Sequence, residues 1–255
     1  MNPKVKNSVH RVFLFPLCLV LVAWISTPVQ LSAQSLQRIF STPEMRAELD
    51  RLRLSSIDPA EVDPVLFELI VSEPRMTPYL HLSLQSGDDM ILKRMKRRHS
   101  RQQVIDLCRS LQERRPEIAF GADIIAGFPT EDDVMFDNSL RIVSEIGIPW
   151  LHVFPYSARE GTPAAKIPPI DGNIVKARAK ILRDAGAAAK TAHLASRIGD
   201  VDIALFEETG PEVRLGRLPD FSLIRVDNPP PAGSLGRVTV IGAHDDHLIG
   251  RLHGG

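Results

Sequence analysis

The sequence is poor in sulfur and in aromatic rings: its 255 residues include 2 cysteines, and Phe, Trp and Tyr together make up 5%. Cys18 and Cys108 are too far apart to make a metal-binding pair by spacing, and Cys18 lies in an apolar run. Neither a zinc site nor a disulfide framework is signalled. Charge of one sign is also lacking, since 31 Lys and Arg balance 31 Asp and Glu. No global basic field advertises a nucleic-acid partner, so any such contact must come from local patches. Long apolar runs are scarce as well. Residues 12–26, VFLFPLCLVLVAWIS, are short for a spanning helix but have the length of a signal-peptide core. With 44% hydrophobic and 24% charged residues, the chain is not disordered, and it can build one sizeable core or one medium domain with a small appendage.

The amino terminus reads differently from the rest. Lys4, Lys6, His10 and Arg11 precede the apolar run, and Leu31-Ser32-Ala33 before Gln34 offers a cleavage site. Residues 1–33 therefore read as an export signal or membrane anchor, with membrane contact through residues 12–26. Residues 34–51 read as a helical linker, because Ser41-Thr42-Pro43-Glu44 supplies a cap, a proline at the first helical position and an acid in the first turn.

From Leu52 the chain changes character. The stretch FGADIIAGFPTE, residues 120–131, has two glycines and joins a short apolar run to a turn with a proline and an acid. Ala122, Ile124, Ile125 and Ala126 are too few for a helix and apolar on both faces, which predicts a parallel strand covered on each side. Glu131, Asp132 and Asp133 then open a helix, where negative charge suits the dipole. The same design recurs in residues 80–89, ending in QSGDD, and in residues 151–163, ending in PYSAREGTP. A fourth unit precedes them, with a strand over residues 53–57 and a helix starting at Asp63 and Pro64. Strands and helices recur at βα spacing, so the three loops should share the rim at the carboxyl ends of a parallel sheet, where ligands collect.

The helix after QSGDD carries Ile91, Leu92 and Met95 as an apolar stripe and a basic run from Lys93 to Arg101. That run could meet phosphates, or it could be a solvated helix end with cations at the negative pole. Residues 173–196 are alanine-rich with apolar residues at helical spacing, which predicts a long helix. Short β-like pieces follow at residues 201–206, 221–226 and 237–241, divided by glycine and proline turns. They predict a small β module of the barrel kind.

The segments RLRLSSIDPAEVD, HLSLQSGDDMILKRMKRRHSR, FGADIIAGFPTEDD and LHVFPYSAREGTPAAK resemble the latter half of the radical SAM methylthiotransferases that modify transfer RNA, and within them the branch acting on threonylcarbamoyladenosine. The resemblance covers residues 52–252. It implies an α/β fold: the last four strands of a partial (β/α) barrel of the radical SAM type over residues 52–196, then a TRAM-like β domain over residues 197–255. It implies a transferase that uses S-adenosylmethionine and [4Fe-4S] clusters on a tRNA partner, working in the cytoplasm. The cofactor-binding residues it implies are Gln85 and Ser86 after one strand, Asp123 and Gly127 on and after the next, and Pro155, Ser157 and Arg159 after the last. Arg197, Arg214, Arg217, Arg225 and Arg237 are the RNA-binding residues to expect in the β module.

The departures from the family pattern carry equal information. The CxxxCxxC loop that holds the family's cluster is absent from these 255 residues, and two cysteines cannot supply three thiolates on one loop. Ala158 and Glu160 stand where relatives carry proline. On this reading the chain is a truncated or fused, inactive fragment behind an exported amino terminus. Its alternatives are a non-catalytic RNA-binding module and an exported protein of unrelated role. A partial barrel that begins with the strand at residues 53–57 also exposes that strand as an edge, which predicts self-association.

Overall fold

The computed structural model of the chain describes residues 11–16, 49–208 and 214–253. Strands β1 (Arg11–Pro16), β2 (Leu49–Ile57), β3 (Met76–Gln85), β4 (Ala119–Ala126) and β5 (Trp150–Pro155) form one parallel sheet in that order. Helices α1 (Pro64–Ser72), α2 (Asp89–Arg94), α3 (Arg101–Arg114) and α4 (Asp133–Ile146) make the crossovers. Helix α5 (Gly172–Ser196) follows β5 and leads into a second, closed sheet. That sheet is a five-stranded barrel of β6 (Val201–Glu208), β7 (Arg214–Arg217), β8 (Leu223–Val226), β9 (Leu235–Ala243) and β10 (Leu248–Leu252), in the order β10-β8-β7-β6-β9. The fold is α/β, a half-barrel of parallel strands followed by a small β barrel.

Local chemistry sets the element ends. Asp63 caps α1 by accepting from Leu66 N–H with Pro64 behind it, and Ser100 and Gln103 form a reciprocal capping box at α3. Asp132 caps α4, and Gly147, at φ 70°, ends it in the left-handed region. The basic stretch after QSGDD does not continue one helix: α2 stops at Arg94, and Lys96 turns the chain at φ 58° before α3 begins.

Three expectations are corrected here. The strand starting the half-barrel is not an open edge, because β1 pairs with it in parallel from Val12↔Arg51 to Pro16↔Ser55. A Val-Phe-Leu-Phe sequence has high strand propensity, and the backbone groups along β2 need a partner. The apolar run at residues 12–26 therefore starts as a strand, while its residues 17–26 lie outside the described residues, as do residues 1–10 and 27–33 of the export reading. No described helix is long and apolar enough to cross a membrane. The linker helix is corrected at its end, since β2 already begins at Leu49; residues 34–48 lie outside the described residues.

The third correction concerns β4, which is not apolar on both faces. One face of the sheet buries Leu52, Leu54, Leu80, Leu82, Leu84, Phe120, Ala122, Ile124 and Ala126 under the helices. Each leucine there contributes roughly 1.5–3 kcal/mol by leaving water. The register places Asp123 beside His152 and Ile125 beside Phe154 on the opposite face, and His81 lies level with Gly121. This open face is polar, with Arg51 and Arg53 contributed by β2.

The β barrel docks at the amino end of the open face. Trp150 Nε1 donates to Asp220 O at 3.1 Å, and Phe221 stacks on Tyr79. Arg53 and Arg217 lie over the Phe221 ring at 4.2 and 4.4 Å from its centroid. Leu194 at the end of α5 is fully buried in the barrel's own core with Phe206, Ile224 and Val238.

Candidate functional site

The carboxyl ends of β3, β4 and β5 open onto a cavity of about 730 Å³. Gln85 leaves β3 at φ 68° and lines this cavity together with Asp123, Pro155, Ser157 and Arg159. Parallel pairing of the three strands brings these residues onto one rim, as the shared loop design requires. Pro155, Ser157 and Arg159 are exposed, whereas Gln85 and Asp123 are half-buried.

Ser86 and Gly127 lie behind the rim, outside the cavity lining. Ser86 is fully buried; its Oγ pairs with Ser139 Oγ at 3.2 Å and accepts from Asp88 N–H at 3.2 Å. Gly127 adopts φ 76°, and a Cβ there would stand 2.6 Å from Val175 of α5. Its N–H donates to Glu131 Oε1 at 3.0 Å. Glu131 thus turns inward instead of serving the dipole of α4, and Arg178 donates to the same oxygen at 2.9 Å. Burial pushes the Glu131 pKa above the ordinary carboxyl value, outweighing the opposing Gly127 N–H and Arg178.

Asp123 is held on the open face by two imidazoles. His81 Nε2 lies 3.1 Å and His152 Nδ1 3.3 Å from its Oδ1. Burial alone would raise its pKa, but the hydrogen bonds and charge of His81 and His152 win and hold it below the usual carboxylate range. Neither histidine stood out in the sequence, because only the strand register brings positions 81, 123 and 152 together.

Arg94, Lys96 and Arg97 of the basic run also line the cavity, whereas Phe128, Phe154, Tyr156 and Thr162 of the lining were not singled out from sequence. Tyr156 packs edge-on to Phe128 with centroids 5.4 Å apart. Its hydroxyl is buried without a hydrogen-bond partner among the described residues. A signal for it was present in the PYS run directly after β5.

Much of the basic run is spent on structure. Arg97 donates to Asp58 Oδ2 at 3.1 Å and to Ser83 O at 2.9 Å, Arg98 to Glu61 at 2.7 Å, and Arg101 to Glu145 at 2.8 Å. His99 reaches Asp58 at 3.2 Å. The contacts to Asp58 and Glu61 tie the loop after α2 to the turn after β2, and Arg101 joins α3 to α4.

The arginines of the β barrel divide in the same way. Arg197 is engaged by Asp200, Asp202 and Asp220. Arg217 donates to Glu207 at 2.8 Å and covers Phe221. Arg214 opens β7. Arg225 and Arg237 are exposed and make no ion pair among the described residues. Exposed Ile241 and Ile249 lie on the same outer barrel surface.

A cluster does not fit the described residues. Their one cysteine, Cys108, is fully buried in the hydrophobic core, and burial drives its pKa well up, away from the thiolate a cluster binds. Cys18 lies outside the described residues.

Residues 40–143 match the family model described as the radical SAM superfamily. Over 216 residues the chain is 44% identical to threonylcarbamoyladenosine tRNA methylthiotransferase of Rickettsia prowazekii, covering 85% of this chain and 50% of that protein. It is 33% identical to tRNA-2-methylthio-N(6)-dimethylallyladenosine synthase of Maricaulis maris, over 81% of this chain and 46% of that protein. The chain thus spans about half the length of the curated relatives it matches. Among solved structures, coproporphyrinogen III oxidase of Escherichia coli aligns with a TM-score of 0.48 and 18% identity, over 68% of this chain and 40% of that one.

Proposed function

We propose that this chain is the S-adenosylmethionine-binding and RNA-gripping part of a tRNA methylthiotransferase acting on threonylcarbamoyladenosine in the cytoplasm. The observation that carries the proposal is the cavity at the strand ends, lined by Gln85, Asp123, Pro155, Ser157 and Arg159. The 44% identity to an enzyme of that name supports the choice of substrate. Arg159 is suited to the cofactor's carboxylate and the Asp123 carboxylate to ribose hydroxyls, as charge-assisted hydrogen bonds. Ser86, buried on Ser139, and Gly127, packed against Val175, act behind the rim by fixing the turns that present Gln85 and Asp123.

The β barrel serves as a TRAM-like RNA module. Arg225 and Arg237, exposed and outside ion pairs among the described residues, are its best phosphate contacts. Arg197 and Arg217 maintain the joint to the half-barrel. In the family a [4Fe-4S] cluster supplies the electron that opens the cofactor's sulfonium. Two cysteines in these 255 residues cannot hold it, so no step of that kind is assigned to this chain, which by itself is inactive.

The test is equilibrium binding. Titration with S-adenosylmethionine should show saturable binding that Arg159→Ala weakens about ten-fold or more, since a hydrogen bond to a charged group is worth about 1.5–3 kcal/mol. After treatment with iron and sulfide the chain should leave the cofactor uncleaved. No binding, or binding indifferent to Arg159→Ala, would defeat the cofactor reading; stoichiometric cluster absorption with cleavage would defeat the inactive one.

A further inference from the structure

We infer that His81, Asp123 and His152 form a site for a divalent first-row transition metal of the zinc class, on the open face of the half-barrel. Asp123 also lines the cavity proposed for the cofactor, so a metal here and the ribose hydroxyls compete for one carboxylate; the inference itself rests on this geometry and not on cofactor binding. Strands β3, β4 and β5 each contribute one residue, and the three ligand atoms lie within 4.8 Å of one another. The nitrogens of His81 and His152 approach the same carboxylate oxygen at 3.1 and 3.3 Å. With metal–ligand bonds of about 2.0–2.1 Å, neighbouring ligands of a tetrahedral site stand about 3.3–3.4 Å apart. The two separations therefore match a metal polyhedron as closely as they match hydrogen bonds.

The surroundings fit a metal. Tyr79 Oη lies 2.8 Å from His81 Nδ1, so Nδ1–H donating to the phenol leaves the Nε2 lone pair for the ion. Such an outer partner is the usual companion of a ligating histidine. Room for this pair depends on Gly121, where a Cβ would stand 2.3 Å from Tyr79 Oη and 2.4 Å from His81 Nδ1. Exposure rises across the set, from 8% for the His81 side chain through 23% for Asp123 to 56% for His152. One ligand is thus fixed in the wall while the last is free to close over an arriving ion. Two imidazoles and one carboxylate favour zinc, iron or cobalt over calcium and magnesium, which prefer all-oxygen shells. Three protein ligands leave a fourth position for water or a substrate atom.

The test uses the full chain, stripped with a chelator and titrated with Co²⁺ as a spectroscopic probe and Zn²⁺ as a competitor. We expect one equivalent of Co²⁺ with the intense visible bands of four-coordinate cobalt, displaced by Zn²⁺. His152→Ala, at an exposed position where folding should be unaffected, should weaken binding at least ten-fold, and Tyr79→Phe about ten-fold. His247→Ala, which disables the His244, Asp246 and His247 group of the β barrel, should change nothing. Absent bands, or binding that survives His152→Ala or depends on His247, would overturn the inference. Thermal unfolding of each variant separates lost ligation from lost fold.

Discussion

Phe221 lies on Tyr79 with ring centroids 4.8 Å apart and planes inclined by 25°, and this pair joins the β barrel to the open face of the half-barrel. Arg53 from β2 and Arg217 from β7 cap the same ring, and Trp150 meets it edge-on at 5.8 Å. One aromatic side chain in a turn thus receives contacts from both parts of the chain. The stacked pair contributes about 0.5–1.5 kcal/mol and each cation–π contact about 0.5–1 kcal/mol. Phe221→Ala should therefore cost about 2 kcal/mol and loosen the joint. The check is chemical denaturation, with a second, earlier transition for the barrel as the expected signature; an unchanged single transition would mean the joint contributes nothing.

The residue before it gives a pH prediction. The Asp220 side chain is 1% exposed and accepts from His193 Nε2 at 2.9 Å, Ser222 N–H at 3.0 Å, Ser222 Oγ at 2.9 Å and Arg197 Nη1. Burial would raise its pKa, but His193, Arg197 and the Ser222 N–H together bring it below the ordinary value. A depressed carboxyl stabilises the fold above its unfolded value of about 3.9, and that contribution is lost as pH falls through the folded pKa. Asp220→Asn removes the buried carboxylate that Arg197 and His193 face, while Arg197 keeps Asp200 and Asp202, so the loss is about 1.5–3 kcal/mol, that of a hydrogen bond to a charged group. The deficit should be full at pH 7 and shrink below about pH 4. Unfolding free energies of both proteins across that range decide it, and a pH-independent gap would refute the assignment.

Gly127 tests the packing behind the rim. Its φ of 76° disfavours any side chain, and the Cβ of an alanine would stand 2.6 Å from Val175. Strain and overpacking add to about 2–4 kcal/mol for Gly127→Ala. Trimming the neighbour with Val175→Ala should recover the steric part alone. Equal stability of the single and double variants would show that backbone strain is the whole effect.

How much of this was legible beforehand depends on the range of the signal. The strands at Leu80 and Leu151, the cap at Asp63 with Pro64 and the long helix ending at Ser196 are local patterns of polarity and turn chemistry. Such patterns survive folding. The shared rim of Gln85 and Arg159 was legible because parallel βα units send every carboxyl end the same way, while Asp123 came from the family resemblance. The two faces of β4 were not, because Ile125 is apolar yet shares the open face with Asp123. Equally hidden were His81 and His152 flanking Asp123, and the closure of Arg97 and His99 on Asp58, since each depends on residues about 30 to 70 positions apart in register. The basic run looked uniform as a string, but acids elsewhere in the chain claim Arg97, Arg98 and Arg101 one by one.

Salt dependence separates the arginines of the β barrel. Arg225→Ala and Arg237→Ala each remove an exposed cation outside ion pairs among the described residues, so affinity for an anticodon stem-loop should fall uniformly and the slope of log K against log salt should drop by about one per arginine. Arg197→Ala should instead lower stability, because its guanidinium neutralises Asp200, Asp202 and Asp220. Filter binding at several salt concentrations, beside melting curves, distinguishes the two effects; identical behaviour of the three variants would contradict this division.

The amino-terminal apolar run has two exclusive uses, and one experiment tells them apart. Cleavage before Gln34, as an export signal requires, removes β1 and with it the parallel pairing of Val12 to Pro16 along β2. What is then bared is a row of backbone groups, since Leu52, Leu54 and Ile57 stay buried against β3 and the helices. Unpaired edges recruit other chains, although Arg51 and Arg53 beside this edge oppose close pairing of two copies. A chain beginning at Gln34 should accordingly show concentration-dependent, reversible association by light scattering, while the full 255 residues stay monomeric. It should also melt earlier, because β2 loses its partner strand. The mass of the protein recovered from cells gives the complementary reading: an intact amino terminus accords with β1 as a working strand of the sheet. A trimmed chain that is monomeric at every concentration and melts at the same temperature would show that β1 contributes nothing and would restore the export reading.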